Sequence, residues 1–89
     1  MRKIFAKILE EKLALDKNNF LITGDLGFKV LDNIKKNFKE NFLNIGICEQ
    51  SMLSFSAGLS KHYKNVFVYS IANFNTFRAL EQIRNDICY

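Results

Sequence analysis

The sequence predicts an α/β fold in three layers, a mostly parallel sheet with helices on both faces. Three observations predict it. Segments with helical spacing of apolar residues alternate with short apolar runs, in the order helix, then strand and helix three times over. The three runs are short and nearly all apolar, as strands are when a parallel sheet is covered on both sides. The connections between them are short, so right-handed crossovers bring every βα loop to one edge of the sheet, where ligands of such folds bind.

Residues 2 to 16 place Ile4, Phe5, Ile8, Leu9 and Leu13 at helical spacing with Lys and Glu between them, an amphipathic helix. Phe20 to Thr23 is a short, partly β-branched run closed by Gly24-Asp25, a buried strand ending at a turn. In "FKVLDNIKKNF" the residues Phe28, Leu31, Ile34 and Phe38 form one helical stripe. Phe42 to Ile45 is the second strand. "EQSMLSFSAGLSKHY" is a helix with Met52, Leu53, Ala57 and Leu59, whose small Ser56, Ala57 and Gly58 imply close packing. "NVFVYSI" is the third strand, β-branched and aromatic. A final amphipathic helix is expected from Phe74, Phe77, Leu80, Ile83 and Ile87.

The composition narrows the classes. A chain of 89 residues is at most one small domain, and 48% hydrophobic with 25% charged residues is globular rather than disordered. There is no proline, and with only four glycines no linker stands out. The net charge of +4 comes mostly from scattered lysines, with no basic face rich in arginine and aromatics, so nucleic-acid binding is not expected. No stretch approaches the length of a membrane span. The opening "MRKIFAKILEEKL" is interrupted by Lys7, Glu10 and Glu11, unlike a signal peptide. Cys48 and Cys88 form neither a CxxC pair nor a zinc spacing with His62, so no metal site is expected, and reduced thiols in the cytoplasm fit best. The strands lack both GxGxxG and GxxxxGK[ST], so this chain offers no phosphate cradle of those kinds.

Singly, the polar residues at the predicted binding edge have plain structural readings. Glu49 at a helix start complements the helix dipole. Asp25 suits an Asx turn or a helix N-cap. Phe74 and Phe77 belong to the apolar stripe of the last helix, and His62 at a helix end suits the surface.

Together they carry more. "TGDLGF", "NIGICEQSM" and "YSIANFNTFRALEQIRNDICY", in this order and spacing, resemble the pyrimidine-binding domain of transketolase, and more closely the C-terminal subunit of split transketolase-like enzymes. Deoxyxylulose-phosphate synthases share the "GI-x-EQ" pattern more loosely. The resemblance runs across residues 1–89 and covers only the N-terminal part of that domain, so it implies an incomplete thiamine-diphosphate pyrimidine-binding domain. In the family, the glutamate matching Glu49 meets N1′ of the cofactor's aminopyrimidine, and a proton shared there favours the imino tautomer that deprotonates the thiazolium ring. An aromatic side chain lies against the pyrimidine; here Phe74 or Phe77 supplies it, and the sequence does not choose. The aspartate matching Asp25 lies near the thiazolium end, and Gly24 and Gly46 keep the backbone close to the site. Cys48 and Ser51 stand where relatives often carry Ala and Asn or His.

The resemblance implies one half of a thiamine diphosphate site, for two-carbon ketol transfer between sugar phosphates. Mg²⁺ and the diphosphate are expected on a partner, the diphosphate-binding subunit or domain, in an oligomeric complete enzyme; the chain by itself is expected to be inactive. The alternative is a non-catalytic gene fragment acting at most as an association module through an unpaired sheet edge. A third class, a receiver-type domain with Asp25 as phosphoacceptor, lacks the further acidic pair and the late-strand lysine that its chemistry requires.

Overall fold

A computed structural model describes residues 1–89. Three parallel strands, β1 (Asn19–Thr23), β2 (Phe42–Asn44) and β3 (Asn65–Tyr69), form one sheet in the order β2-β1-β3. In register, Leu21 of β1 sits opposite Phe42 and Phe67, and Ile22 opposite Leu43 and Val68. All five residues of β1 are buried, because this strand has a neighbour on each side and helices on each face.

Alternation along β1 divides the core in two. Leu21 packs with Ala6, Leu9 and Leu13 of helix α1 (Arg2–Leu15) and with Leu31 and Ile34. Phe20 and Ile22 pack on the opposite face with Met52, Leu53 and Ala79. The expected three layers, with helices on both faces, are therefore present. Each of the larger fully buried side chains contributes on the order of 1.5–3 kcal/mol by leaving water.

Several elements differ from the sequence reading. In α1 the buried stripe is Ala6, Leu9 and Leu13, while Ile4, Phe5 and Ile8 remain exposed beside it. The helix stops at Asp16, which is extended, and the Asn19 side-chain amide donates to the carbonyl of Lys12 in the last turn. Helix α2 spans only Asp32–Asn37, so Phe28 is not on its stripe and is 83% exposed. Positive φ at Gly27 and Lys29 holds residues 27–30 in a turn, which delays the helix. Strand β2 ends at Asn44, although the Ile45 N–H still donates to the Thr23 carbonyl.

The segment after β3 departs most. The single amphipathic helix expected over Phe74–Ile87 is instead a helical turn, α4 (Ala72–Asn75), a 3₁₀ turn (Phe77–Ala79), a short α-helical turn, α5 (Leu80–Gln82), and a π-helical turn (Ile83–Cys88). The reason lies in the spacing. Steps of three residues drift about 60° per step around an α-helix, so Phe74 and Ile83, nine residues apart, fall on opposite sides. The backbone breaks at Thr76 (φ −106°, ψ −80°) and at Ala79 (φ −118°, ψ 23°). Ala79 and Ile83 pack inward, and Phe77, Leu80 and Ile87 are exposed.

Candidate functional site

Helix α3 (Glu49–Leu59) places the central residue of the site. Its buried residues are Glu49, Met52, Leu53 and Ser56, an i, i+3, i+4, i+7 set. Glu49 is thus the topmost member of the core-facing stripe and is only 5% exposed. It stands in the first helical turn at the carboxyl edge of the sheet, where the loops after all three strands end.

Those loops are tied together. Thr23 Oγ1 donates to the Tyr69 carbonyl at 3.0 Å, which joins the ends of β1 and β3. Asn44 Oδ1 accepts from the Asp25 N–H at 2.9 Å and from the Gly46 N–H at 3.0 Å, while its Nδ2 donates to Asp25 Oδ1 at 3.3 Å. Gly24 is buried against the second loop: a Cβ there would lie 2.9 Å from the Gly46 carbonyl oxygen. Gly46 itself has φ +89°, a conformation in which side chains are strained. Its carbonyl accepts from the Cys48 N–H at 3.0 Å, and the Cys48 carbonyl accepts the first intrahelical bond of α3 from Met52. The turn geometry of "NIGIC" therefore fixes where α3 starts and so where Glu49 points its carboxylate.

Glu49 Oε1 pairs with Arg78 Nη1 at 3.5 Å. The same guanidinium lies over the ring of Phe74, with Cζ 3.9 Å from its centroid. Gln50 Nε2 donates to the Arg78 carbonyl at 3.1 Å, and the neighbouring Ala79 is fully buried among Phe20, Ile22, Met52 and Leu53. Cys48, Glu49, Gln50, Ser51 and Arg78 line an open recess of about 360 Å³ beside the carboxylate.

The structure brings some sequence-selected residues together and leaves others apart. Glu49 and Phe74 share one neighbour, Arg78. Phe77 is 77% exposed and outside this group. Asp25 is exposed with φ +60°, does not cap a helix, and lines a separate recess of about 150 Å³ with Leu26, Gly27, Phe28 and Asp32 among others. Gly24 lies between the two loops rather than in either recess. Arg78 was missed by sequence reasoning; its signal was an arginine four residues after an aromatic that is itself near the binding edge. The buried Ser70 Oγ and Asn75 Oδ1, just after β3, have no hydrogen-bond partner.

The family model for the transketolase pyrimidine-binding domain matches residues 1–89. One of the two subunits of an apulose-4-phosphate transketolase from Phocaeicola vulgatus is 37% identical over 89 residues, covering 99% of this chain and 28% of the relative. A putative transketolase C-terminal section from Methanocaldococcus jannaschii is 37% identical over 90 residues, covering 100% of this chain and 28% of the relative. A 1-deoxy-D-xylulose-5-phosphate synthase from Lawsonia intracellularis is 35% identical over 89 residues, covering 97% of this chain and 14% of the relative. The chain spans only about a quarter of the length of the first two relatives. No helix is long and apolar enough to cross a membrane. With a parallel sheet between two helical layers, a buried glutamate at its carboxyl edge, and a match over the whole of its length, the chain belongs to the transketolase pyrimidine-binding domain family.

Proposed function

We propose that this chain supplies the aminopyrimidine side of a thiamine diphosphate site in a transketolase-like enzyme that moves two-carbon ketol units between sugar phosphates. The observation that carries the reading is Glu49: a carboxylate 5% exposed, in the first turn of a helix, lining a recess at the carboxyl edge of a parallel sheet. A carboxylate is rarely buried unless it is paired or used. Its one ion-pair partner, Arg78, is half exposed.

The residues present fit the ring half of the cofactor. Glu49 offers a carboxyl oxygen to a ring nitrogen, and Phe74 offers an aromatic face within the same group of side chains. Phe74 is therefore the ring-stacking residue of this reading, and Phe77 is not. The bound cofactor supplies the carbon nucleophile. Glu49 holds a proton at its carboxyl and shares it with the ring nitrogen, Phe74 orients the ring, and the tied loops hold both in place. Gly24 serves the loop packing; Asp25, on the far side of that packing, holds the loop through Asn44. Mg²⁺ and the diphosphate belong to a partner subunit or domain.

Two observations support a partner at this edge. Each βα loop carries one large apolar side chain left open to solvent: Phe28 after β1, Ile47 after β2 and Ile71 after β3. Two of the relatives are named as parts of a transketolase, one as a subunit and the other as a C-terminal section. The same exposed residues suit the alternative, a non-catalytic association module, and one assay separates the two. In a complex reconstituted with a diphosphate-binding partner, Glu49→Gln is expected to lower turnover by roughly 10²–10⁴-fold, the usual worth of a positioned proton-transfer group. The circular dichroism spectrum stays unchanged, and the 89-residue chain alone turns over nothing. Near-normal turnover by the variant refutes the assignment.

A further inference from the structure

We infer that Arg78 is a resident stand-in for the ring: its guanidinium closes the subsite between Glu49 and Phe74 in the empty chain and has to leave when an amino-heterocycle enters. The inference rests on the function proposed above and adds to it a displacement step and the residue that makes it.

The geometry carries the argument. Arg78 makes two interactions at once: Nη1 pairs with Glu49 Oε1 at 3.5 Å, and the planar guanidinium lies over the Phe74 ring at 3.9 Å. Those are the two interactions that a planar aminopyrimidine would make with the same two side chains, a polar edge to the carboxyl and a flat face to the aromatic. The guanidinium is planar, delocalised and rich in donors, so it can imitate both, which an ammonium cannot. The stand-in has a physical use. A buried carboxylate left without a partner is strongly unfavourable, so an empty subsite needs a cation beside Glu49.

The same contacts show how it would open. The backbone at Arg78 is fixed by Gln50, which donates to its carbonyl, and by the fully buried Ala79 next to it. The side chain is 50% exposed. Displacement therefore asks for rotation of one side chain toward solvent, with no movement of α3 or of the 3₁₀ turn. Ligand binding must break an arginine–aromatic and a partly exposed ion-pair contact, which together weaken apparent affinity by about fivefold to tenfold.

The test uses the 89-residue chain and the aminopyrimidine alcohol that forms one half of thiamine, followed by NMR. In the wild type, the Arg78 Nε–Hε signal is expected to start shielded by the Phe74 ring and to move toward the free arginine position as the alcohol is added. Arg78→Gln, which keeps much of the stem but removes the charge, is expected to bind the alcohol about tenfold more tightly. Glu49→Gln is expected to weaken binding with either residue at position 78. If Arg78→Gln binds no more tightly while Glu49→Gln still weakens binding, the ring subsite stands and the stand-in is overturned. If binding is indifferent to both Glu49→Gln and Phe74→Leu, the proposed site falls and the stand-in with it. Should Arg78→Gln fail to fold, the wild-type titration decides alone: an arginine signal still ring-shielded at saturation overturns the inference.

Discussion

Replacing Gly24 by alanine tests whether the loops around Glu49 are held by close backbone packing. An added Cβ meets the Gly46 carbonyl oxygen at 2.9 Å, well inside ordinary van der Waals contact, while Met52 Sδ at 3.5 Å and Cε at 3.7 Å are comfortable neighbours. The obstacle is backbone, and that backbone is not free to yield. The Gly46 carbonyl accepts from Cys48 N–H, and the Gly46 N–H donates to Asn44. Moving it loosens either the Asn44 tie or the turn that starts α3. Forced overpacking costs about 1–3 kcal/mol. Against this, alanine stiffens the unfolded chain and stabilises by about 0.4–1 kcal/mol, because Gly24 does not need a positive φ. The expected net loss is about 1–2 kcal/mol. For a domain of this size that lowers the melting temperature by roughly 4–16 °C. Urea unfolding followed by circular dichroism measures it. A Gly24→Ala chain as stable as the wild type would show that the two loops do not pack as described.

Two other substitutions probe neighbouring features. Gly58→Ala, in α3 with nothing within 4 Å of its added Cβ, is expected to stabilise the chain by about 0.5–1 kcal/mol in the same unfolding experiment; a loss of stability contradicts the open space there. Asn44→Ala removes the acceptor of the Asp25 and Gly46 N–H groups and is expected to cost about 1–2 kcal/mol, at roughly 0.5–1.5 for each bond. Hydrogen exchange reads it directly, since the amides of Asp25 and Gly46 should exchange faster than the rest; unchanged protection at both refutes the tie.

The element order and the burial of β1 were legible because short apolar runs between polar turns have few other uses in a small α/β chain. Glu49 was legible as a helix-start residue, and the i, i+3, i+4, i+7 pattern of α3 explains why it faces the core: it continues the stripe of Met52, Leu53 and Ser56. Three features were not legible. The late start of α2 depends on positive φ at Lys29 as well as at Gly27, and nothing in a lysine announces that conformation. The exposed Ile4, Phe5 and Ile8 share the apolar character of the buried Leu9 and Leu13, so character alone could not divide one side of α1 from the other. Arg78 was passed over because its worth lies in two partners distant in sequence or in fold, Glu49 and Phe74, which only the three-dimensional arrangement brings to it.

The irregular path after β3 explains how one segment serves both core and site. In an unbroken α-helix anchored by Ala79 and Ile83 on the sheet, Phe74 would lie about 180° from Ile83 and face away from Glu49. The breaks at Thr76 and Ala79 uncouple the two halves. Thr76 Oγ1 donates back to the Ala72 carbonyl at 2.8 Å and closes the first turn, and Ala79 N–H donates to the Thr76 carbonyl at 3.2 Å in a tighter 3₁₀ step. After that step Ala79 is buried and Arg78 stands between Phe74 and Glu49. Only a small residue fits at position 79, where the side chain is enclosed by Phe20, Ile22, Met52 and Leu53. The loss of helical regularity is thus the means by which Phe74 half-buries at the edge of the sheet while the chain beyond it still covers the core.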